Sequence, residues 1–301
     1  MKRFSWAGFA LLSAASFAGM AACVRVISQD LPQGEVVFFR NFIALLFLLP
    51  LMLRSRVSLR TERFRWHLLR AGAGLGAMYL YFYALAHLPL ADALLLNYTS
   101  PLFITLFAVF WLKESWTLPR RRALAMGLAG VVLLFHPSSH LFSLPGLVGL
   151  GSGLLAGLAL TTVKRLSGTE PGMRIVVWFA LLASVISAVP MLLVFQWPTG
   201  PEWGWVVIMG LFGSMGQLGL TRAYRLAPAS QVSPMGYASL VFAAVIGYLG
   251  WGEVPDATGL LAAAIIIAAG VMVARERVEP APEPPSTVPV YGDSDTGSAR
   301  R

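Results

Sequence analysis

Charged side chains are scarce in this sequence. Asp, Glu, Lys and Arg make up 12% of the 301 residues, whereas an ordinary soluble domain carries about a quarter. Hydrophobic residues make up 57% of the chain, and the mean hydropathy is +0.70. A soluble fold of this length has no interior large enough for so much apolar surface. The composition therefore excludes a soluble domain and indicates an integral membrane protein whose solvent is the lipid bilayer.

Cysteine is nearly absent, and the usual catalytic groupings are missing. Cys23 stands alone, which excludes an internal disulfide and a cysteine metal site. The four histidines are scattered at positions 67, 87, 136 and 140, with no His-Glu-x-x-His motif, Ser–His pair or His/Asp/Glu cluster. The sequence therefore predicts no metal, no cofactor and no catalytic residue. A membrane-embedded enzyme and a structural membrane protein are remote alternatives.

The basic residues do not form a single patch. The net charge of +9 is compatible with a nucleic-acid partner, but Lys and Arg recur in short clusters between apolar runs. Clusters of this kind are orientation signals of membrane proteins. We therefore expect no nucleic-acid partner, and we expect the lipid bilayer to be the surrounding medium.

Ten apolar runs approach the about 20 residues that a helix needs to cross hydrocarbon, so the fold class is all-α with ten transmembrane helices. The first run is long and has no polar domain behind it, which favours an uncleaved helix over a signal peptide. The fifth run is short for a span unless it extends across its Arg120–Arg122 flank. The runs are Trp6–Ile27, Val36–Leu53, His67–His87, Ala91–Leu112, Arg122–Phe135, Leu147–Val163, Ile175–Phe195, Trp203–Ala223, Gln231–Gly250 and Thr258–Ala274.

Every second loop lacks Lys and Arg, while the loops between them carry clusters of both. The positive-inside rule places the basic loops, and with them both termini, in the cytoplasm. The tail 276–301 is rich in Pro, Glu, Ser and Thr and is predicted to be disordered. The loops without Lys or Arg are Ser28–Glu35, Leu88–Leu90, His136–Pro145, Gln196–Glu202 and Trp251–Ala257.

One stretch, Pro89–Glu114, occurs twice. Its partner Pro228–Glu253 lies 139 positions later and aligns without a gap, with Pro at the start, Tyr and Ser in the middle and Glu at the end. Because five helices precede the second half, the second copy crosses the membrane in the opposite sense. The sequence thus predicts two inverted-topology five-helix repeats, residues 1–136 and 141–275. Secondary transporters use this architecture, with the substrate near the midplane where the halves meet.

Ten helices in two halves, with the Pro…Glu helix repeated at 89–114 and 228–253, resemble the drug/metabolite transporter superfamily and, within it, the EamA family of bacterial inner-membrane transporters. The resemblance implies a multi-pass protein of the cell inner membrane with a central cavity. That cavity is lined mainly by the third, fourth, eighth and ninth helices and holds no catalytic residues. Family members carry amino acids, nucleosides, riboflavin, S-adenosylmethionine or opine-type metallophores, many of them outward. A homodimer is left open.

Arg40 is the strongest candidate for substrate binding. It lies inside the second apolar run, where a charge costs about 2.5–3.5 kcal/mol to insert. We expect it to face a cavity, a carboxylate or a substrate anion, unless it snorkels to the surface. Arg25 is a candidate for coupling or gating, or for an ion pair with Asp30 or Glu35. Asp92 starts the fourth helix, where it could pair with Arg40, carry a coupling proton or cap the helix.

The duplicated helix contributes further candidates. Asn97 and Tyr98 lie in a polar run, and Pro101 exposes a backbone carbonyl at that level. We expect the first two to contact substrate and the proline to act in gating. The second copy repeats the pattern with substrate candidates Tyr237 and Ser239 and with Pro234 as a gating candidate. Glu114 and Glu253, which end the two copies, are expected to hold loops.

Two more sets of residues complete the predicted site and its packing. Tyr79 and Tyr83 share a face of the third helix and could stack on a planar ligand or pack against helices. Gln217 places an amide inside an apolar run, where it must find a partner in a helix or in the substrate. Glycines at 72, 74 and 76 and at 149, 153 and 157 predict close helix packing.

These observations predict a secondary transporter that works by alternating access and takes a small molecule as its substrate. Arg40 and Arg25, with few acids, favour a carboxylate-bearing or zwitterionic metabolite, such as an amino acid derivative or an opine-type metallophore. Export is the direction that the family resemblance implies. The alternative is an importer or facilitator of a nucleoside, riboflavin or S-adenosylmethionine.

Overall fold

The computed structural model of the chain describes residues 5–88, 90–135, 143–254 and 256–276. Pro89, His136, His140 and the predicted tail beyond 276 lie outside these ranges. All the regular structure within them is helical. The elements are α1 (Ser5–Ile27), α2 (Gln33–Arg54), α3 (Phe64–His87), α4 (Leu90–Asn97), α5 (Ser100–Phe110), α6 (Leu118–Phe135), α7 (Leu144–Ser167), α8 (Gly172–Leu192), α9 (Gly200–Leu226), α10 (Ala229–Val232), a 3-10 turn (Ser233–Tyr237), α11 (Ala238–Trp251) and α12 (Ala257–Arg275).

The ten predicted runs are confirmed as ten helical segments, two of which are broken. The fourth segment consists of α4 and α5, and the ninth of α10, the 3-10 turn and α11. Pro101 and Pro234 lie at these breaks and cannot donate the backbone hydrogen bond that a continuous helix requires. Broken helices at corresponding places in two halves are a feature of transporter binding sites.

Eight of the segments are long and apolar enough to span a membrane. The other two are α3 and α6, whose hydropathy is lowered by arginines near one end, Arg65 and Arg70 in α3 and Arg120–Arg122 in α6. The helix α6 does extend across its arginine flank, which brings it to 18 residues. The chain is therefore an all-helical, multi-pass membrane protein.

The described loops fall into two groups, each of which makes contacts within itself. Loops that carry Lys and Arg contact one another: Arg174 Nε donates to Ser58 O at 2.6 Å, and Thr117 Oγ1 donates to Glu276 Oε1 at 2.6 Å. Loops without basic residues also contact one another, as where Gln196 N donates to Glu35 Oε1. We call these two surfaces the basic end and the neutral end.

The packing of the two halves is reciprocal. Helix α1 of the first half packs along α9 of the second, and α3 of the first half packs along α7 of the second. Helices α2 and α8 pack on each other, as do α6 and α12. Exchanging the halves swaps the first two contacts and leaves the last two unchanged, as a pseudo-two-fold relation between the repeats requires.

The duplicated segments also end in the same way. Lys113 and Gly252, which are 139 positions apart, both adopt the left-handed backbone conformation, with φ of 58° and 69°. The following amides make equivalent bonds, Glu114 N to Ala108 O at 3.0 Å and Glu253 N to Gly247 O at 3.3 Å. The sequence repeat is therefore a structural repeat down to single hydrogen bonds.

The largest apolar core lies toward the basic end. It joins α1, α5, α7, α9 and α12 around Trp6, Leu166 and Tyr224, each 1% exposed. A smaller cluster near the neutral end is built around Ile27, Phe39 and Met209. The basic end is thus the more extensively sealed of the two.

Close packing at the glycines of α7 is confirmed. A side chain at Gly153 would collide with Thr99 and Leu96, and one at Gly149 would come within 2.7 Å of Leu96. Absence of Cβ atoms therefore lets α7 lie directly against the broken segment formed by α4 and α5. In the predicted α3 set, a Cβ added at Gly76 would lie 3.0 Å from Leu155 Cδ1, whereas a Cβ added at Gly72 would meet no atom within 4 Å. The expected packing role therefore does not extend to Gly72.

The Gly157→Ala variant should be less stable than the natural protein. Its new Cβ would lie 2.5 Å from Phe103 Cβ and 3.1 Å from Ile104 N, an overpacking that costs about 1–3 kcal/mol. Thermal unfolding in detergent measures this loss. Gly72→Ala is the matched control, expected to be neutral or to gain up to about 1 kcal/mol from helix propensity. Equal stability of the two variants would contradict the packing assignment.

Candidate substrate site

Arg40 lies in α2 with its head group between α1 and α3. Its Nε donates to Met20 Sδ at 3.1 Å, and its Nη1 donates to Met78 Sδ at 3.0 Å. Thioether sulfur is only a weak acceptor. The ion pairs formed by the described residues do not include Arg40. Its charge is therefore held in the protein by sulfur contacts and lacks a counter-charge from that part of the chain.

A second arginine, Arg70 of α3, joins this region and was not singled out by sequence analysis. It is 3% exposed, and its Nη2 donates to Gln217 Oε1 at 3.2 Å. Its guanidinium lies over the Phe179 ring, 3.9 Å from the centroid. The signal in the sequence is the same as for Arg40, a charge inside an apolar run. Because Arg70 lies near the basic end of α3, the sequence is equally compatible with a side chain that snorkels to the membrane surface.

Arg40, Arg70, Phe179 and Gln217 form what we call the arginine site. A small cavity is lined by Arg40, Phe179 and Gln217, and Arg70 contacts the last two. The four residues come from α2, α3, α8 and α9, so both halves of the chain build the site. Of the four helices expected to line the cavity, the third and eighth contribute to the arginine site. The other contributions come from the second and seventh segments and not from the fourth and ninth.

The two tyrosines predicted to share a face end in different surroundings. Tyr79 packs against the buried cluster that contains Phe179, and its hydroxyl is buried without a hydrogen-bond partner among the described residues. Tyr83 is 40% exposed and stacks on His87 with ring centroids 4.1 Å apart. Tyr79 therefore borders the arginine site, and Tyr83 belongs to the neutral end of α3.

The polar residues of the duplicated segments form a separate group where the two breaks meet. Tyr98 Oη lies 3.3 Å from Ser239 Oγ, and Thr105 Oγ1 lies 2.9 Å from Ser233 Oγ. Asn97 ends α4 and is half-buried. Hydrogen bonds recorded for these residues do not join this group to the arginine site. The predicted substrate residues are thus divided between two places.

Tyr237 lies in the protein core. It is completely buried and packs directly against Gly127 of α6, among Leu124, Val131 and Ile266. Its ring fills the space that the missing Gly127 side chain leaves. This environment gives Tyr237 a packing role between the broken ninth segment and α6 and offers no open face for a ligand.

Arg25 pairs with a residue that sequence analysis did not propose. Its Nη2 lies 2.7 Å from Glu253 Oε1, with both side chains about half exposed at 50% and 52%. The expected partner Glu35 instead accepts a hydrogen bond from Gln196. The expectation of an Arg25 pair with Asp30 or Glu35 is therefore wrong, because the fold brings the end of α11 against the end of α1. Arg25 is accordingly occupied by an acid and distinct from the arginine site.

The symmetry-related position of this pair is also charged. Lys164 and Glu114 stand 139 positions from Arg25 and Glu253 and lie at the basic end. Glu114 accepts hydrogen bonds from Ala229 N at 2.7 Å and Ser230 N at 2.9 Å, as a carboxylate does at a helix N-terminus. Lys164 Nζ donates to Ala227 O at 2.6 Å and is attracted by Glu114. Glu114 thus holds the loop before α10, as the sequence predicted.

Asp92 lies in the first turn of α4 and is 1% exposed. It takes part in an interaction, but the pairing with Arg40 that the sequence allowed is not among the ion pairs of the described residues. A buried carboxyl that is not paired with Arg40 is compatible with a coupling role and with a structural one.

The fold and the site define a membrane transporter: a multi-pass helical bundle made of two matching halves, with a charged site between them. In the ranges that the structure describes, no group of three His, Cys, Asp or Glu residues is placed to hold a metal. The model of the EamA-like transporter family matches residues 4–136 and 144–275, so the chain belongs to that family. It is a transporter rather than an enzyme.

Relatives with known names carry different cargoes. The pseudopaline exporter CntI of Pseudomonas aeruginosa is 34% identical over 272 residues, covering 89% of this chain and 95% of the relative. The riboflavin transporter of Vibrio cholerae is 32% identical over 83% of this chain and 88% of its own length. The S-adenosylmethionine uptake transporter of Rickettsia felis is 26% identical over 88% and 91%. A solved crystal structure, 22% identical with a TM-score of 0.77 over 90% of this chain and 95% of that one, shows the same fold.

The Arg25–Glu253 pair should contribute to stability in a pH-dependent way. The hydrogen bond from Arg25 lowers the pKa of the Glu253 carboxyl. The contribution is therefore complete above the ordinary carboxyl pKa of about 4.3 and is lost as the pH falls through the lowered value. A double-mutant cycle of Arg25→Gln and Glu253→Gln, followed by thermal unfolding in detergent, should show coupling at neutral pH that is lost as the pH falls through the lowered pKa of Glu253.

The control is the same cycle for Arg25 and Asp30, which should show no coupling at neutral pH or in acid. Coupling that is equally strong in acid and at neutral pH would mean that Glu253 is not the titrating partner.

Proposed function

We propose that this chain is a secondary transporter that exports a small carboxylate-bearing or zwitterionic metabolite, such as an amino acid derivative or an opine-type metallophore, across the bacterial inner membrane. The observation that carries the proposal is the arginine site. Two guanidinium groups lie between apolar helices, and neither has an acidic partner within the described part of the chain.

The energetics favour an anionic group on the substrate. A lone cation inside the membrane costs about 2.5–3.5 kcal/mol on insertion scales, and the two neighbouring arginines also repel each other. A carboxylate about 4 Å from a guanidinium recovers about 4 kcal/mol at an effective dielectric constant of 20. A substrate carboxylate would therefore supply the counter-charge that these helices do not.

Reciprocal packing of the halves supports alternating access. If the repeats are inverted, an exchange of their conformations converts an opening at one end into an opening at the other. The fourth segment and its counterpart, the ninth, are both broken, and Pro101 and Pro234 at these breaks are the proposed hinge points. The positive-inside rule favours a cytoplasmic basic end, with both termini there.

The symmetry-related charged groups are the proposed gates. Arg25 with Glu253 would close the neutral end, and Lys164 with Glu114 would close the basic end. The first pair is about half exposed, whereas the second lies beside the large apolar core. This difference favours a conformation that is sealed on the basic side and closer to opening on the neutral side.

The named relatives support transport in both directions. Export is favoured because the relative that is 34% identical is an exporter. The alternative is import or facilitated diffusion of riboflavin, a nucleoside or S-adenosylmethionine. Two arginines without an acidic partner among the described residues disfavour S-adenosylmethionine, because they would repel its sulfonium group. Riboflavin and nucleosides are disfavoured because they lack a carboxylate. One chain supplies both halves of the site, so a homodimer is an option that transport does not require.

Replacing Arg40 with Gln should raise the KM for the cargo at least about tenfold or abolish transport, since it removes a charge-assisted contact to the substrate. Comparison of extracellular metabolites from cells with and without the protein identifies the exported compound, which is then assayed in sealed proteoliposomes. The matched control is Arg54→Gln, at the exposed end of the same helix. Wild-type kinetics in the Arg40 variant would overturn the assigned role. The transporter proposal itself fails if sealed liposomes move no cargo.

Asp92→Asn tests proton coupling. If this buried carboxyl carries the coupling proton, the variant should lose accumulation driven by a pH gradient but keep substrate exchange across the membrane. Exchange without a pH gradient in proteoliposomes separates the two activities. Pro101→Ala, at the nearby break, is the comparison, because a hinge change should slow both activities together. Gradient-driven transport that survives in Asp92→Asn would favour facilitated diffusion or another proton carrier.

A further inference from the structure

We infer that Arg70 and Gln217 form a second anion-binding point beside Arg40, and that the cargo carries two carboxylate groups. This inference rests on the proposed transport function and narrows its substrate class. Its basis is that Arg70 contacts Gln217 and Phe179, and that these two residues line one small cavity together with Arg40.

The Arg70 head group is oriented by its surroundings. Phe179 covers one face of the guanidinium at 3.9 Å, and a Cβ at Gly74 would come within 2.5 Å of Nη1. The absence of a side chain at Gly74 therefore makes room for the head group. Planar guanidinium groups use this fixed fork geometry for bidentate recognition of carboxylates.

The donors of Arg70 are largely unused. A guanidinium has five N–H donors, and the hydrogen bond recorded for Arg70 goes from Nη2 to Gln217 Oε1. Its Nε is buried without a partner in the part of the chain that the structure describes. With Gln217 Oε1 occupied by Arg70, the Gln217 amide nitrogen is oriented as a further donor for a carboxylate.

Structural arginines in this chain are treated differently. Arg120 has a fully buried side chain and pairs with Glu276 at 3.2 Å, with further bonds to Ser115 and Ser230. Arg174 pairs with Glu170 at 2.6 Å. The chain thus supplies an acid where it uses an arginine to hold its fold. Buried Arg70 and half-buried Arg40 have no such acid among the described residues, which assigns the missing counter-charges to the cargo.

Two neighbouring cations favour a cargo with two negative charges over a cargo with one. A single carboxylate at Arg40 leaves the second guanidinium uncompensated between apolar helices. A molecule that places one carboxylate at Arg40 and another at Arg70 and Gln217 compensates both. Phe179 lines the cavity beside Arg40, and Tyr79 packs in the same apolar cluster as Phe179, so the site is bordered by apolar surface.

Binding to the purified full-length protein in detergent tests this arrangement. Titration calorimetry with the sodium salts of butyrate, succinate, glutarate and adipate compares one carboxylate with two at increasing spacing. We expect the best dicarboxylate to bind at least about tenfold more tightly than butyrate. Arg70→Gln should remove this advantage and leave the affinity for butyrate within about threefold. Equal affinities for butyrate and all three dicarboxylates, or no dicarboxylate binding, would overturn the inference.

Two further variants keep the test decisive. Arg65→Gln, an exposed arginine on the same helix, should leave every affinity unchanged. Arg70→Lys keeps the charge but loses the fork and should retain part of the dicarboxylate advantage; full retention would reject bidentate binding by Arg70.

Transport in proteoliposomes separates the two proposals. Two-point binding without transport would sink the proposed function, whereas transport with no preference for two carboxylates would sink this inference alone.

Discussion

A guanidinium group between apolar helices needs polar or charged partners in place of the water that it has lost. The placement of charged residues in this protein depends on that requirement. At the basic end, Arg120 pairs with Glu276 and Lys164 donates to the carbonyl of Ala227. At the neutral end, Arg25 pairs with Glu253. In the middle, Arg40 and Arg70 meet sulfur, an amide and an aromatic ring. These positive groups at the two ends thus have partners within the chain, whereas the ion pairs of the described residues include neither Arg40 nor Arg70. Under the proposed function, this difference separates the charges that hold the fold from the charges that meet the cargo.

The duplication explains where this difference arises. At the offset of 139 positions, the shared features are those that build the scaffold: the left-handed residues Lys113 and Gly252, the acids Glu114 and Glu253, and the cations Arg25 and Lys164. The arginine site is where the repeats diverge. Arg40 corresponds to Phe179, and Gln217 corresponds to Met78. Each position and its counterpart line or border the same site. The scaffold is therefore symmetric, whereas the site that both halves build is asymmetric.

Much of this scaffold is readable from the sequence because it depends on local composition and spacing. Apolar runs and loop charges predict the ten segments and the two sets of loops without any knowledge of tertiary contacts. The two gating candidates, Pro101 and Pro234, lie where the structure breaks the fourth and ninth segments. Pairings across long separations are not predictable in this way. Arg25 has acids close by in sequence, Asp30 and Glu35, yet it meets Glu253, which is 228 positions away. Arg70 was missed for a related reason: its depth depends on the space left by Gly74 and on the ring of Phe179, which belongs to the other half.

Under the proposed function, the lack of an acidic partner for Arg40 among the described residues also has a consequence for turnover. A carrier must release its cargo as well as bind it, and a protein carboxylate at the site would compete with the cargo for the same guanidinium. Such an internal pair is worth about 4 kcal/mol at 4 Å and an effective dielectric constant of 20, which corresponds to about a thousandfold loss of affinity. Met20 and Met78 offer Arg40 polarisable but weak acceptors. Under the proposed function, a cargo carboxylate would displace these weak acceptors at little cost, and they would take up the Arg40 head group again after release. Sulfur in place of oxygen would thus let the same arginine bind an anion strongly and still release it.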